Sequence, residues 1–195
     1  MARKNLKFRL TGKSPLLMHN ANRLANPLDD LSKEIKKVSS KRKKLDADHE
    51  RMAELEFVGS LYVMKDNKGN TIPCVPGRIV WAMLRDGAKA VRMGKVFQES
   101  VYCYNNFPLE YKGPKSPEEL WANPEFRNAT LVVVNRAKIM RTRPQFPEWA
   151  CTIEVEYDEE QVRADQIEEV LKECGRRGML MDWKGQYGHF VCEKI

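Results

Sequence analysis

The last third of the chain restricts the fold most, because strand, helix and strand patterns follow one another there. Residues 149–158, WACTIEVEYD, alternate with Trp149, Cys151, Ile153 and Val155 on one side, which is the pattern of a strand buried on one face. RADQIEEVLKECGRRG then spaces its apolar residues for one helical face and ends at Gly175, a helix stop. A final strand is predicted over residues 189–194. Between helix and strand, four of the chain's eleven glycines (Gly175, Gly178, Gly185 and Gly188) fall within fourteen residues. Glycine weakens helix and strand alike, so the cluster calls for positive φ or a closely approached backbone.

The N-terminal half completes the pattern. LKFRLTG alternates Leu6, Phe8 and Leu10 with Lys7, Arg9 and Thr11, a half-buried strand with a cationic outer side, and Pro15 bends or ends it. Helical spacing follows, with Leu28, Leu31, Ile35 and Val38 on one face and Leu45, Met52, Leu55 and Val58 on another. The basic run SKRKK separates the two, and the second helix is predicted to start near Asp46. Residues 25–60 thus read as a helical insertion. GSLYVMKDNKGNTIPCV is a hairpin signal, and Pro76-Gly77 opens a helix that closes near Gly94. Residues 96–111 suggest more strand, Ser116 caps a short helix beginning at Pro117, and residues 128–148 form a basic hairpin or finger. The order gives one α+β domain over residues 1–195, with a ferredoxin-like βαββαβ core plus the insertion and the finger.

At 42% hydrophobic, the 195 residues suffice for an ordinary core. Net charge is +7, which favours polyanionic partners. It is unevenly spread: residues 1–51 hold fourteen Lys or Arg against six acids, while residues 148–173 hold ten acids against Arg163 and Lys172. That polarity suits a nucleic-acid groove, head-to-tail stacking of copies, or two solvated helices of opposite sign. Five widely spaced cysteines without a CxxC pair point to a reducing compartment. No signal core or membrane-length apolar run is present, so a cytoplasmic protein with no membrane partner is expected. Walker, GxSxG and Rossmann motifs are absent, and His19, His49 and His189 are too scattered for a metal site; no cofactor or metal is expected.

LTGKSPLLMHN, IPCVPGRIVWAMLRDGA and GRRGMLMDWKGQYGHF occur in an order that resembles the RAMP superfamily, the RNA-recognition-type subunits of CRISPR effector complexes. The middle segment is the nearest, with Pro76, Gly77, Ala82, Leu84 and Arg85 at the spacing of that family's IPGSSLKGALR-like segment. The chain departs from it at Arg78 and Ile79, where the family has Ser-Ser, and at Met179, Met181 and Asp182, where it favours glycine. The matching pieces cover roughly a quarter of the chain, so the likeness carries more about fold than about function. The overall build, MRTRPQFPEW included, is also similar to proteins of tailed bacteriophages, which implies a bacterial host cell. The resemblance implies single-stranded RNA, or less readily DNA, as partner, with a homo-oligomer or nucleoprotein filament in view. It also implies His19 as a weak catalytic candidate, since processing members use a histidine in the corresponding region. Asp29 or Asp30 stands where cleaving members have an aspartate, although both also suit a helix's first turn.

The residues alone offer parallel readings. Arg78 beside the Pro76-Gly77 helix start suits a phosphate, or the pair simply caps the helix. Arg85 reaches a phosphate or pairs with an acid. In the glycine-rich loop, free backbone N–H groups, Gly185's neighbourhood included, can cradle a phosphodiester that Arg176, Arg177 and Lys184 neutralise, while Trp183 and Tyr187 stack on bases. Arg136, Lys138, Arg141 and Arg143 make a cationic finger or a charge-protected edge strand. The expected function is non-catalytic single-stranded nucleic-acid binding by backbone capture and stacking. The alternatives are a metal-independent endoribonuclease using His19, with His189 and Tyr187 as further candidates, and a viral interaction protein that mimics or blocks a nucleoprotein complex.

Overall fold

The computed structural model describes residues 3–134 and 136–195. In chain order the elements are β1 (Arg3–Gly12), β2 (Leu16–Leu17), α1 (Ala21–Ala25), α2 (Asp30–Ser39), α3 (Asp46–Ser60), β3 (Val63–Lys65), β4 (Thr71–Val75), α4 (Gly77–Ala88), α5 (Gly94–Ser100), β5 (Val101–Tyr102), β6 (Phe107–Pro108), α6 (Pro117–Ala122), β7 (Arg127–Val134), β8 (Ala137–Phe146), β9 (Ala150–Asp158), α7 (Ala164–Arg176) and β10 (Phe190–Lys194). The architecture is α+β with antiparallel sheets. The main sheet runs β10-β1-β9-β5, and two three-stranded sheets run β2-β8-β7 and β3-β4-β6.

The alternation in the sequence decides the main sheet. Leu10 lies opposite Cys151, Phe8 opposite Ile153 and Leu6 opposite Val155, so the apolar sets of β1 and β9 share one face. Phe8, Leu10, Cys151, Ile153 and Val155 are fully buried there with Ile167 and Leu171 of α7 and Val80 and Leu84 of α4. Helices α4 and α7 approach closely, because a Cβ at Gly87 would collide with the Cys174 sulfur. The other sheet face is salt-bridged. Basic β1 pairs with acidic β9, and Arg3–Glu156 (2.8 Å) and Arg9–Glu110 (2.7 Å) join cations to acids within one chain. Arg3 and Arg9 of the basic N-terminal segment are thus paired within the chain.

Helices α1–α3 occupy residues 21–60, between β2 and β3. Asp29 caps α2 by accepting the Leu31 N–H at 3.0 Å, and Asp30 is its first residue and pairs with Lys33. Both acids that might have been catalytic thus serve a helix start. Residues 94–100 overturn the strand expected from residue 96: they form α5, with Phe97 fully buried and α5 packed on α4. Burial of Gly94, Phe97 and Ser100 at helical spacing outweighs the local β-propensity. Strands β5 and β6 keep two residues each.

Candidate functional site

Three bodies meet at one cleft: α3 of the helical insertion, the root of the β7–β8 finger, and the glycine-rich loop after α7. The cleft encloses about 500 Å³, and His19, Glu56, Arg141, Arg143 and Trp183 line it with aliphatic Val132 and Leu24. Arg141 pairs with Glu56 of α3, and Arg143 with Asp182 of the loop. Glu56 is only 7% exposed, and its second oxygen accepts the Thr142 N–H at 3.4 Å. The Arg143 guanidinium also lies 5.3 Å from the Trp183 ring centroid, and the Tyr187 ring centroid lies 5.9 Å from that of Trp183. The Tyr187 hydroxyl accepts from Asn128 of β7 (3.1 Å), which ties the loop to the finger.

Trp183 holds φ +50°, and Met181 two residues earlier holds +65°. Bulky residues pay about 1–2 kcal/mol in this left-handed region, so the strain must be over-determined by the surroundings. What it achieves is to set the indole against the cleft.

His19 follows β2, with its carbonyl accepting the Tyr62 hydroxyl at 3.0 Å. Its Nδ1 is buried without a hydrogen-bond partner, so exchange with anything in the cleft falls to Nε2. Burial, and after it Arg143, hold its pKa below the ordinary histidine value, and the imidazole is neutral at pH 7. Next to it a second hollow of about 370 Å³ is lined by Asn20, Tyr62, Arg78 and Asn106. Exposed Arg78 stacks on Tyr62 at 5.5 Å.

The remaining expected site residues lie elsewhere or are already engaged. Arg176 and Arg177 both bond Glu173 and hold its carboxyl down to about 2, on α7's surface rather than in the cleft. Arg85 pairs with Asp86 at 3.0 Å and stacks on Trp81, and Lys184 reaches the same Asp86 at 3.6 Å. Arg85 therefore takes the acid-pairing role. Arg136 and Lys138 stay exposed toward the tip of the finger, while Arg141 and Arg143 are consumed at its root. The four-cation finger is thus two cations at the end of a braced ribbon.

The N–H groups of three loop glycines are turned onto the chain itself. The Gly178, Gly185 and Gly188 N–H groups donate to Gly175, Gly178 and Pro15 carbonyls at 3.2, 2.9 and 3.0 Å. At Gly175 and Gly188 an added Cβ would strike the Phe190 and Leu180 carbonyls; of the four loop glycines only Gly185 has open space around it. Gly175, Gly178 and Gly188 let the loop pack on the chain itself. Likewise the α4 start is closed, since a Cβ on Gly77 would hit the Cys103 and Asn105 carbonyls. His189 is also structural, its ring held between the Arg176 (3.0 Å) and Gly185 (3.3 Å) carbonyls.

Glu56 and Asp182 escaped the sequence reading because a lone acid far from its partner leaves no local signal. The four buried thiols are not nucleophiles: burial pushes Cys74 up to about 11 and Cys103, Cys151 and Cys174 up to about 12. Among the described residues no cluster of His, Cys, Asp or Glu could hold a metal ion, and no helix is long and apolar enough to cross a membrane. Compared with models of known families and with curated proteins, the chain matches none.

Proposed function

We propose that the chain binds single-stranded nucleic acid, RNA in preference to DNA, as a non-catalytic RAMP-type protein on a ferredoxin-like core. The strand order β10-β1-β9-β5, with α4 between β1 and β5 and α7 between β9 and β10 in sequence, supports the split βαβ reading. The observation that carries the function is Trp183, held at strained φ beneath Arg143 at the edge of a cleft large enough for a base. The cleft's own charges, Arg141 with Glu56 and Arg143 with Asp182, cancel, so it suits an unpaired base rather than a phosphate. Phosphates fall outside it, to Arg78 and to the finger-tip cations Arg136 and Lys138. Affinity then comes from stacking and side-chain cations, with no backbone capture.

His19 favours one second reading, a metal-independent endoribonuclease, because a neutral imidazole with an available Nε2 stands beside two arginines. Titration with labelled single-stranded RNA and DNA in EDTA tests both. Trp183→Ala is expected to weaken RNA binding by roughly 5- to 150-fold, the equivalent of about 1–3 kcal/mol for one stacked base. Failure of the wild type to bind RNA at low salt overturns the proposal, and cleavage lost in His19→Ala moves it to the enzyme.

A further inference from the structure

Sheet edges are normally blunted, and most of them are here. Among the described residues β2, β5 and β6 have two residues each and β3 three, β6 carries Pro108, and β10 ends in Glu193 and Lys194. Strand β7 is the exception. It has eight residues, pairs only with β8, and contains no charge or proline after Arg127. Long, apolar, unprotected edges are templates for another strand.

The outer part of the finger also lacks support. β2 covers β8 at Phe146 and Gln145, the Met18 N–H bonds the Pro144 carbonyl at 2.9 Å, and Glu56 takes the Thr142 N–H. Beyond Thr142 the ribbon is two-stranded, a state that is marginal in water without a third strand or a packed face. Its register puts Leu131 beside Met140 and Val133 beside Lys138 on one face. Leu131, Val133 and Met140 there are 53%, 69% and 56% exposed.

We propose that β7 is an assembly edge, at which two copies of the chain pair their β7 strands antiparallel about a two-fold axis at Leu131. Thr130 then faces Val132 of the second copy and Ala129 faces Val133, so each of these pairs is uncharged. That self-complementarity selects a second copy as occupant. A chain of net charge +7 repels itself elsewhere, but not along residues 128–134, which carry no charge. The result is one four-stranded sheet, β8-β7 continued by β7-β8 of the second copy, with the apolar faces joined across it. The contact is isologous and closes as a dimer. A strand pair this short buries less than the roughly 1,200 Å² of a standard interface, so dissociation is expected at about 10–100 µM.

This dimer forms without nucleic acid, which nuclease treatment removes. Nuclease-treated protein is sedimented from about 5 to about 300 µM, at about 0.1 and about 1 M salt. A reversible monomer–dimer equilibrium that survives high salt is expected. Leu131→Lys should raise the dissociation constant at least about tenfold, while Leu131→Thr keeps the dimer. Leu131→Cys in a Cys192→Ser background should cross-link to itself under mild oxidation, which gives a readout even where the lysine variant folds poorly. A monomer at the highest concentration, a dimer indifferent to Leu131→Lys, dissolution by salt, or growth beyond two copies each overturns the proposal.

Discussion

Replacing the loop glycines one at a time separates a chain-packing role from a ligand-facing one. Gly185 (φ +88°) has nothing within 4 Å of an added Cβ. Alanine there costs only the left-handed conformation, about 1–2 kcal/mol, less about 0.4–1 kcal/mol recovered from the stiffer unfolded chain. A net loss near 1 kcal/mol lowers the Tm of a chain this size by about 2–4 °C. Asparagine tolerates positive φ better, so Gly185→Asn should stay closer to wild type. Gly178 combines φ +60° with the Tyr187 carbonyl 2.6 Å from the new methyl, and Gly188 combines φ +68° with a collision against the Leu180 carbonyl. Both obstacles are backbone that cannot swing aside. An overpacking cost of about 1–3 kcal/mol adds to the strain, so Gly188→Ala should lose about 2–4 kcal/mol in all, or about 4–16 °C. Thermal melts and urea midpoints on the four variants test the order: wild type, Gly185→Asn, Gly185→Ala, then Gly178→Ala and Gly188→Ala. A Gly188→Ala variant melting with the wild type would refute the packing explanation. So would a loss of RNA binding in Gly185→Ala with its Tm intact, which would return the loop backbone to the ligand.

Arg136→Ala and Lys138→Ala should each lower the salt slope of RNA binding by about one unit, whereas Arg176→Ala and Arg177→Ala should leave it unchanged, because Glu173 holds both; filter binding across a salt series distinguishes them. His19, with its pKa depressed in the fold, is protonated first in the unfolded chain, so its contribution to stability is intact above about pH 6.5 and falls as pH drops below it. Urea midpoints from pH 7.5 to 5 should therefore decline less steeply in His19→Gln, and equal slopes would contradict the burial argument. Arg143→Met leaves Asp182 without its partner beside a mostly buried position, and should cost about 1–3 kcal/mol and release Trp183, visible as a red-shifted tryptophan emission.

Elements whose signal is local were legible in the chain. The alternation of Phe8 and Leu10 and of Cys151, Ile153 and Val155 placed β1 and β9, and Ser116 marked a helix start through the cap that its own side chain makes. Helix α5 was not legible, since burying Phe97 against α4 is a long-range event that residues 94–100 do not encode alone. The cleft draws on residues 19, 56, 141, 143 and 183, and only their packing brings them together. Sequence picked out His19, Arg141, Arg143 and Trp183 one by one but could not tell that two of the four cations in the finger meet buried or half-buried acids. The glycines were read correctly as a demand for unusual backbone, yet what occupies the space beside Gly175 and Gly188 is this chain's own carbonyls.

The two root arginines of the finger are anchored to different bodies, Arg141 to Glu56 on α3 and Arg143 to Asp182 on the loop. A strand bolted at neighbouring positions to two supports cannot roll about its axis without breaking one of them. Bending is therefore confined to the free outer ribbon, from Leu131 across to Met140, while the root behaves as a fixed bearing. Any displacement of the finger root is therefore felt by α3 and by the Trp183 loop together.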